Sequence, residues 1–139
     1  MIPRLSSTMA LGVLAALCAC SAPVPHLHDF SGVRRVVITG LGGGDTLGTL
    51  SAPESIAALV TFVNARNSDW ESPWSGVPVP QVTAFFYGAD FQGSFGGGPG
   101  FFGTQRTGTF ASRAASKAEL AEFARLVGVP TERVQGQRP

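Results

Sequence analysis

Apolar residues recur along this chain with two different periods, and the change of period marks the elements. Val33 to Thr39 is rich in β-branched residues and stops at the glycine cluster Gly40–Gly44, so a strand and a loop are expected there. Thr46 to Leu50 predicts its hairpin partner. The period then lengthens: Ile56, Leu59, Val60 and Val63 fall at i, i+3, i+4, i+7, the stripe of an amphipathic helix. Ser51-Ala52-Pro53-Glu54 supplies capping-box spacing and a first-turn proline at its start. A second helix repeats the device, with the box Ser116-Lys117-Ala118-Glu119 and the stripe Leu120, Phe123, Ala124, Val127. Gly128 and Pro130 stop it.

Between the helices, Gln81 to Tyr87 predicts a strand, and a glycine–phenylalanine stretch follows. Strand and stretch together hold seven of the ten phenylalanines, Phe85 to Phe110, and eight glycines run from Gly88 to Gly108. Phe91–Phe95, Phe101–Thr104 and Thr107–Ser112 read as short strands joined by glycine turns. The order is β-β-α-β-β-β(-β)-α. The expected fold class is therefore α+β: two layers, an antiparallel sheet of about five to six strands, and two helices on one sheet face. The other face is left for water or for a partner.

The segment before the first strand has a different character. Met9 to Leu17 is an uncharged apolar run about half the length a spanning helix needs. Leu17-Cys18-Ala19-Cys20 follows it, and this resembles the lipobox of bacterial lipoproteins: an aliphatic residue at −3, a small one at −1, then cysteine. The resemblance implies cleavage before Cys20, diacylglycerol on its sulfur and a further acyl chain, such as palmitate, on the new amine. It is confined to the leader. Two or three acyl chains anchor stably where one would be reversible. Ser21, rather than aspartate, after the lipidated cysteine implies the outer membrane for a Gram-negative host. The expected organisation is a signal peptide over 1–19, a lipidated tether over 20–32 carrying Ala22-Pro23-Val24-Pro25, a single domain over 33–130 and a frayed tail over 131–139.

Charge and cysteine content narrow the function classes. Of ten basic side chains only Arg4 precedes Cys20, leaving nine against nine acidic ones, interspersed along the chain. Nucleic-acid binding needs a basic surface, and this pattern offers none. Both cysteines, Cys18 and Cys20, lie at the leader junction, so the expected domain carries no disulfide, thiol nucleophile or cysteine metal site.

Candidate chemistry is sparse. His26 and His28, with Asp29, are spaced for a metal, but a closed site needs four ligands on an ordered scaffold, and tether residues are expected to be solvated. Asp69 and Glu71 could pair for acid–base work, though a polar loop suits them as surface charge. Gly98-Pro99-Gly100-Phe101-Phe102-Gly103 has glycine-fingerprint spacing without the strand-then-helix context that chemistry requires. No metal and no cofactor is expected. Two aromatic features remain. Trp70 and Trp74 lie on a proline-stiffened loop that is either a recognition surface or a lid on the core. Phe85 and Tyr87 alternate with Val82, Ala84 and Phe86, so the strand is either covered on both sides or presents an aromatic platform.

The expectation is a lipid-anchored, non-enzymatic interaction module. It is held to the membrane through Cys20, with an envelope protein as partner and Trp70, Trp74, Phe85 and Tyr87 as the candidate surface. A small apolar-ligand pocket is the alternative, and a carboxylate enzyme is a more distant one.

Overall fold

The computed structural model describes residues 21–23, 28–73, 76, 78–106 and 108–137. The expected signal peptide, Cys20, His26 and Trp74 lie outside them. The strands are β1 (Ser21–Pro23), β2 (Arg35–Thr39), β3 (Thr46–Leu50), β4 (Glu71–Pro73), β5 (Val82–Tyr87), β6 (Phe91–Gly98), β7 (Phe101–Arg106) and β8 (Thr109–Ala114). The helices are α1 (Pro53–Asn64), α2 (Lys117–Val127) and the single turn α3 (Thr131–Val134). One antiparallel sheet takes the order β1-β4-β8-β7-β6-β5-β2-β3. The fold is α+β, as the pattern predicts. The eight strands exceed the expected five to six because β1 and β4, three residues each, are too short for any periodicity to register.

Register explains which side chains share a face. Ile38, Ala84, Phe95, Thr104 and Ala111 stand opposite one another in one row across β2, β5, β6, β7 and β8. All five are buried, in the layer that also holds Ile56, Leu59, Phe62 and Val63 of α1 and Leu120, Phe123, Ala124 and Val127 of α2. The neighbouring row, Val37, Phe85, Ser94, Gln105 and Phe110, points the other way because strand side chains alternate.

The helix ends differ from one another. At α2 the capping box forms: the Glu119 N–H donates to Ser116 Oγ at 3.1 Å, and the Ser116 N–H donates to Glu119 Oε2 at 3.0 Å. Gly128 then closes the helix at φ 75°, a left-handed position that costs glycine nothing. At α1 the expected box does not form. Ala52 is the N-cap without a side-chain bond, and Pro53 alone sets the first turn. The apolar stripe of α1 also includes Phe62, between the predicted Val60 and Val63.

The domain reaches past both expected boundaries. Val134, predicted to lie in a frayed tail, is fully buried. It sits over Gly97, where an added Cβ would meet Val134 Cγ1 at 2.8 Å and Phe123 and Leu120 at 3.2 and 3.3 Å. Gly97 is thus a close-approach glycine on the helix-covered face. Gly97→Val is expected to cost about 1–3 kcal/mol by overpacking, read as a lower urea midpoint at unchanged slope. At the other end, His28 and Phe30 belong to the core rather than to a solvated tether.

Candidate functional site

The sheet face turned away from the helices carries a trough of about 260 Å³. Its floor is Gly96 and Gly103, adjacent across β6 and β7. Without side chains they let another backbone or ring lie directly on the sheet, and Pro80 does so: a Cβ on Gly96 would meet the Pro80 Cβ at 2.7 Å. Phe85, Phe110 and Val79 line the walls, with Gly42 and Gly43 of the β2–β3 turn at one end. That turn can approach closely because both glycines adopt positive φ, 61° and 76°. Thr83, Ser94 and Gln105 supply the polar groups of the lining.

The rim is unusually apolar for a surface. Among the described residues the exposed large hydrophobics are Leu41, Val79, Phe91 and Phe110, and each belongs to this face or to the turn beside it. Phe110 is 53% exposed and Phe91 49%. Phe91 packs beside Phe85 and Tyr87, with ring centroids 6.2 and 5.5 Å apart, and the Arg35 guanidinium lies 4.7 Å from the Tyr87 ring centre. Phe85 and Tyr87 therefore stand half-buried in a shared aromatic platform. Their alternation left open a strand covered on both sides and an exposed platform, and their half-burial lies between the two. Phe91 and Phe110 could not be assigned to this face from sequence, because their strands, FQGSFGGG and TFASRA, show no apolar–polar alternation that fixes a face.

Trp70 is not part of a surface. It is 1% exposed, and its Nε1–H donates to the Arg66 carbonyl at 2.6 Å. Its ring meets His28 edge-on at 4.9 Å and Phe95 at 5.9 Å. The candidate interaction role for Trp70 is corrected: an indole whose polar edge finds a backbone acceptor is cheaper to bury than to expose.

His28, expected on a flexible tether, is likewise buried, at 2% exposure. Its Nδ1 lies 3.0 Å from the Arg66 carbonyl and its Nε2 2.9 Å from Thr104 Oγ1. Burial pulls its pKa down to about 4 from 6.5, and the nearby Arg106 and Arg113 push the same way, against the Arg66 carbonyl and Asp29. No sequence signal marked its burial, since the groups that hold it come from the loop after α1 (Arg66 and Asn67) and from β7 (Thr104).

Asp69 and Glu71, the carboxylates considered for acid–base work, are both exposed at the edge of a separate depression beside Arg113. Glu119 is the carboxylate in a charged cluster: Arg66 approaches it at 3.3 Å and Arg113 at 3.1 Å. Its partial burial favours the neutral acid, but the Ser116 N–H and the two guanidiniums outweigh that and hold its pKa below the ordinary value. It ties α2 to the loop after α1 and to β8. Among the described residues no group of three or more His, Cys, Asp or Glu side chains is placed to hold a metal.

Comparison with protein-family models, curated proteins and solved structures finds no match to this chain.

Proposed function

We propose that this chain is a lipid-anchored envelope lipoprotein whose domain acts as a non-enzymatic protein-interaction module, docking its partner on the open face of the sheet. The observation that carries the docking surface is the glycine-floored trough ringed by Phe85, Val79 and Phe110, with Phe91 and Tyr87 beside it. Aromatic anchors on a rigid sheet lose little conformational freedom on binding; the glycine floor seats the chain's own Pro80, so the exposed rings around it are the contact points.

The anchor rests on Leu17-Cys18-Ala19-Cys20, with lipid on Cys20 and the outer membrane as its destination in a Gram-negative host. Among the described residues no helix is long and apolar enough to cross a membrane. A small apolar ligand in the trough is the second reading, favoured by its largely hydrophobic walls. Its volume of about 260 Å³ falls just below the roughly 300–1,000 Å³ of small-molecule sites. That size suits one or two inserted side chains better than a whole ligand.

The test uses the full-length protein in its own envelopes, crosslinked and captured beside a Phe91→Ser/Phe110→Ser variant. Both rings are about half exposed, so the variant should keep its stability to within roughly 1 kcal/mol. The expected outcome is one specific partner that the folded variant loses, with Cys20→Ala shifting the protein out of the membrane fraction. Undiminished capture by the variant would remove the open face from consideration. Retention of Cys20→Ala in the membrane would remove the anchor.

A further inference from the structure

The segment His28–Ser31 is held by a device found nowhere else among the described residues. Three side-chain amides grip its backbone, each in two directions, as a neighbouring strand would. Asn67 Oδ1 accepts from the His28 N–H at 2.7 Å while its Nδ2 donates to the His28 carbonyl at 2.7 Å. Asn64 does the same for Phe30, at 3.0 Å in both directions. Gln92 accepts from the Ser31 N–H at 3.3 Å and donates to its carbonyl at 2.6 Å. Two rings plug the segment into the domain: Phe30 stacks on Phe86 at 4.4 Å, and His28 sits among Phe30, Trp70 and Phe95. None of these residues pairs in the sheet ladder, so the segment can leave without breaking a strand–strand bond.

We propose that His28–Ser31 is an acid-released strap: a second proton on the His28 imidazole undocks the segment and bares the aromatic cleft of Trp70, Phe86 and Phe95 while the sheet stays folded. It is independent of the docking role of the open face, which lies on the opposite side of the sheet.

The argument is one of enclosure and charge. Because the Arg66 carbonyl can only accept, Nδ1 carries the proton of the neutral ring. Thr104 Oγ1, which lies 2.7 Å from the Ser94 carbonyl, could accept from a protonated Nε2, so hydrogen bonding does not forbid the second charge. The surroundings do. The imidazole is enclosed by the rings of Phe30, Trp70 and Phe95, where an added charge loses its water. The charged groups of the packed elements also lean positive: Arg66 after α1, Arg106 of β7 and Arg113 of β8, against Asp29 of the strap and Glu119 of α2. Arg106 is itself paired with Asp29 and lies over the Phe30 ring at 4.7 Å.

The sign follows from the docked ring titrating near 4 and the free ring near 6.5. Docking is fully favoured above pH 6.5 and is weakened as pH falls toward 4. The ratio of docked to free strap should fall about 20-fold from pH 7 to pH 5.

Amide hydrogen exchange on the full-length chain tests this, with rates corrected for the intrinsic pH dependence of exchange. The expected result is that amides of residues 28–31 open about 20-fold more at pH 5 than at pH 7, while β5–β7 amides keep their protection. His28→Gln, which keeps a neutral polar side chain, should flatten that dependence. Strap amides that open only together with β5–β7, or with no pH dependence, would overturn the proposal. Should the variant not fold, nuclear magnetic resonance titration of the imidazole in the natural chain decides instead. Only His26 and His28 contribute such signals, and a His28 ring titrating near 6.5 with the strap still protected would overturn it.

Discussion

Trp70→Ala is expected to destabilise the domain by about 3–5 kcal/mol, the range for removing a large buried aromatic. The indole is 1% exposed and closes the cluster in which His28 and Phe95 meet its ring edge-on. Its loss would also remove the Nε1–H bond to the Arg66 carbonyl, leaving that acceptor to His28 Nδ1 alone. A domain of this size has roughly 5–15 kcal/mol in total, so the variant should populate unfolded chain measurably at 37 °C. Urea denaturation reads the effect directly, as a lower midpoint at constant slope. A loss under about 1 kcal/mol would mean that Trp70 is not packed as described. A loss of partner binding in this variant would report unfolding rather than a contact, and for that reason the binding test belongs to Phe91 and Phe110.

The second large effect is expected at Phe95→Ala, again about 3–5 kcal/mol. Phe95 is the hub of the ring cluster, with centroid distances of 4.8 Å to Phe102, 5.5 Å to Phe123 and 5.5 Å to His28. Its neighbours along β6 include Gly96 and Gly97, which have no side chains to lean into the space. The cavity therefore stays open, and the cost should lie toward the upper end of the range. Because Phe95 and Trp70 are in contact, the double variant should cost less than the sum of the singles. Additive costs would place the two rings in separate environments.

The contrast between these residues shows how far the sequence carries. Where a signal is local and repeated, it translated into structure: Ser116 and Glu119 form their capping box, and Leu120, Phe123, Ala124 and Val127 all face the core. The β2–β3 hairpin forms around its glycine turn. Ser51 has the same spacing and caps nothing, because Pro53 alone starts α1. His28 and Phe30 were illegible for a different reason. An extended strap bonded by Asn64, Asn67 and Gln92 has no period, and its partners lie 34 to 61 residues away in the chain. Val134 escaped notice because α3 is four residues long and otherwise polar.

The candidate surface divides along the same line. Phe85 and Tyr87 were legible only as a pair of alternatives, since a strand apolar on both faces must either be covered twice or leave one side bare. Trp70 was not, because a tryptophan in a loop gives no indication of whether its N–H will find water or a carbonyl. Phe91 and Phe110 acquire meaning only through register, which sets Phe91 against Tyr87 and Phe110 against Gln105.

The most direct measurement is site-specific photocrosslinking in intact envelopes, with the reactive side chain placed in turn at Phe91, Phe110 and Glu122, the last an α2 side chain on the helical layer. One and the same protein crosslinked from Phe91 and Phe110 but not from Glu122 is the predicted result. Crosslinks from Glu122 alone, or none from either phenylalanine position in a folded, membrane-bound chain, would contradict the assignment of the open sheet face as the docking surface.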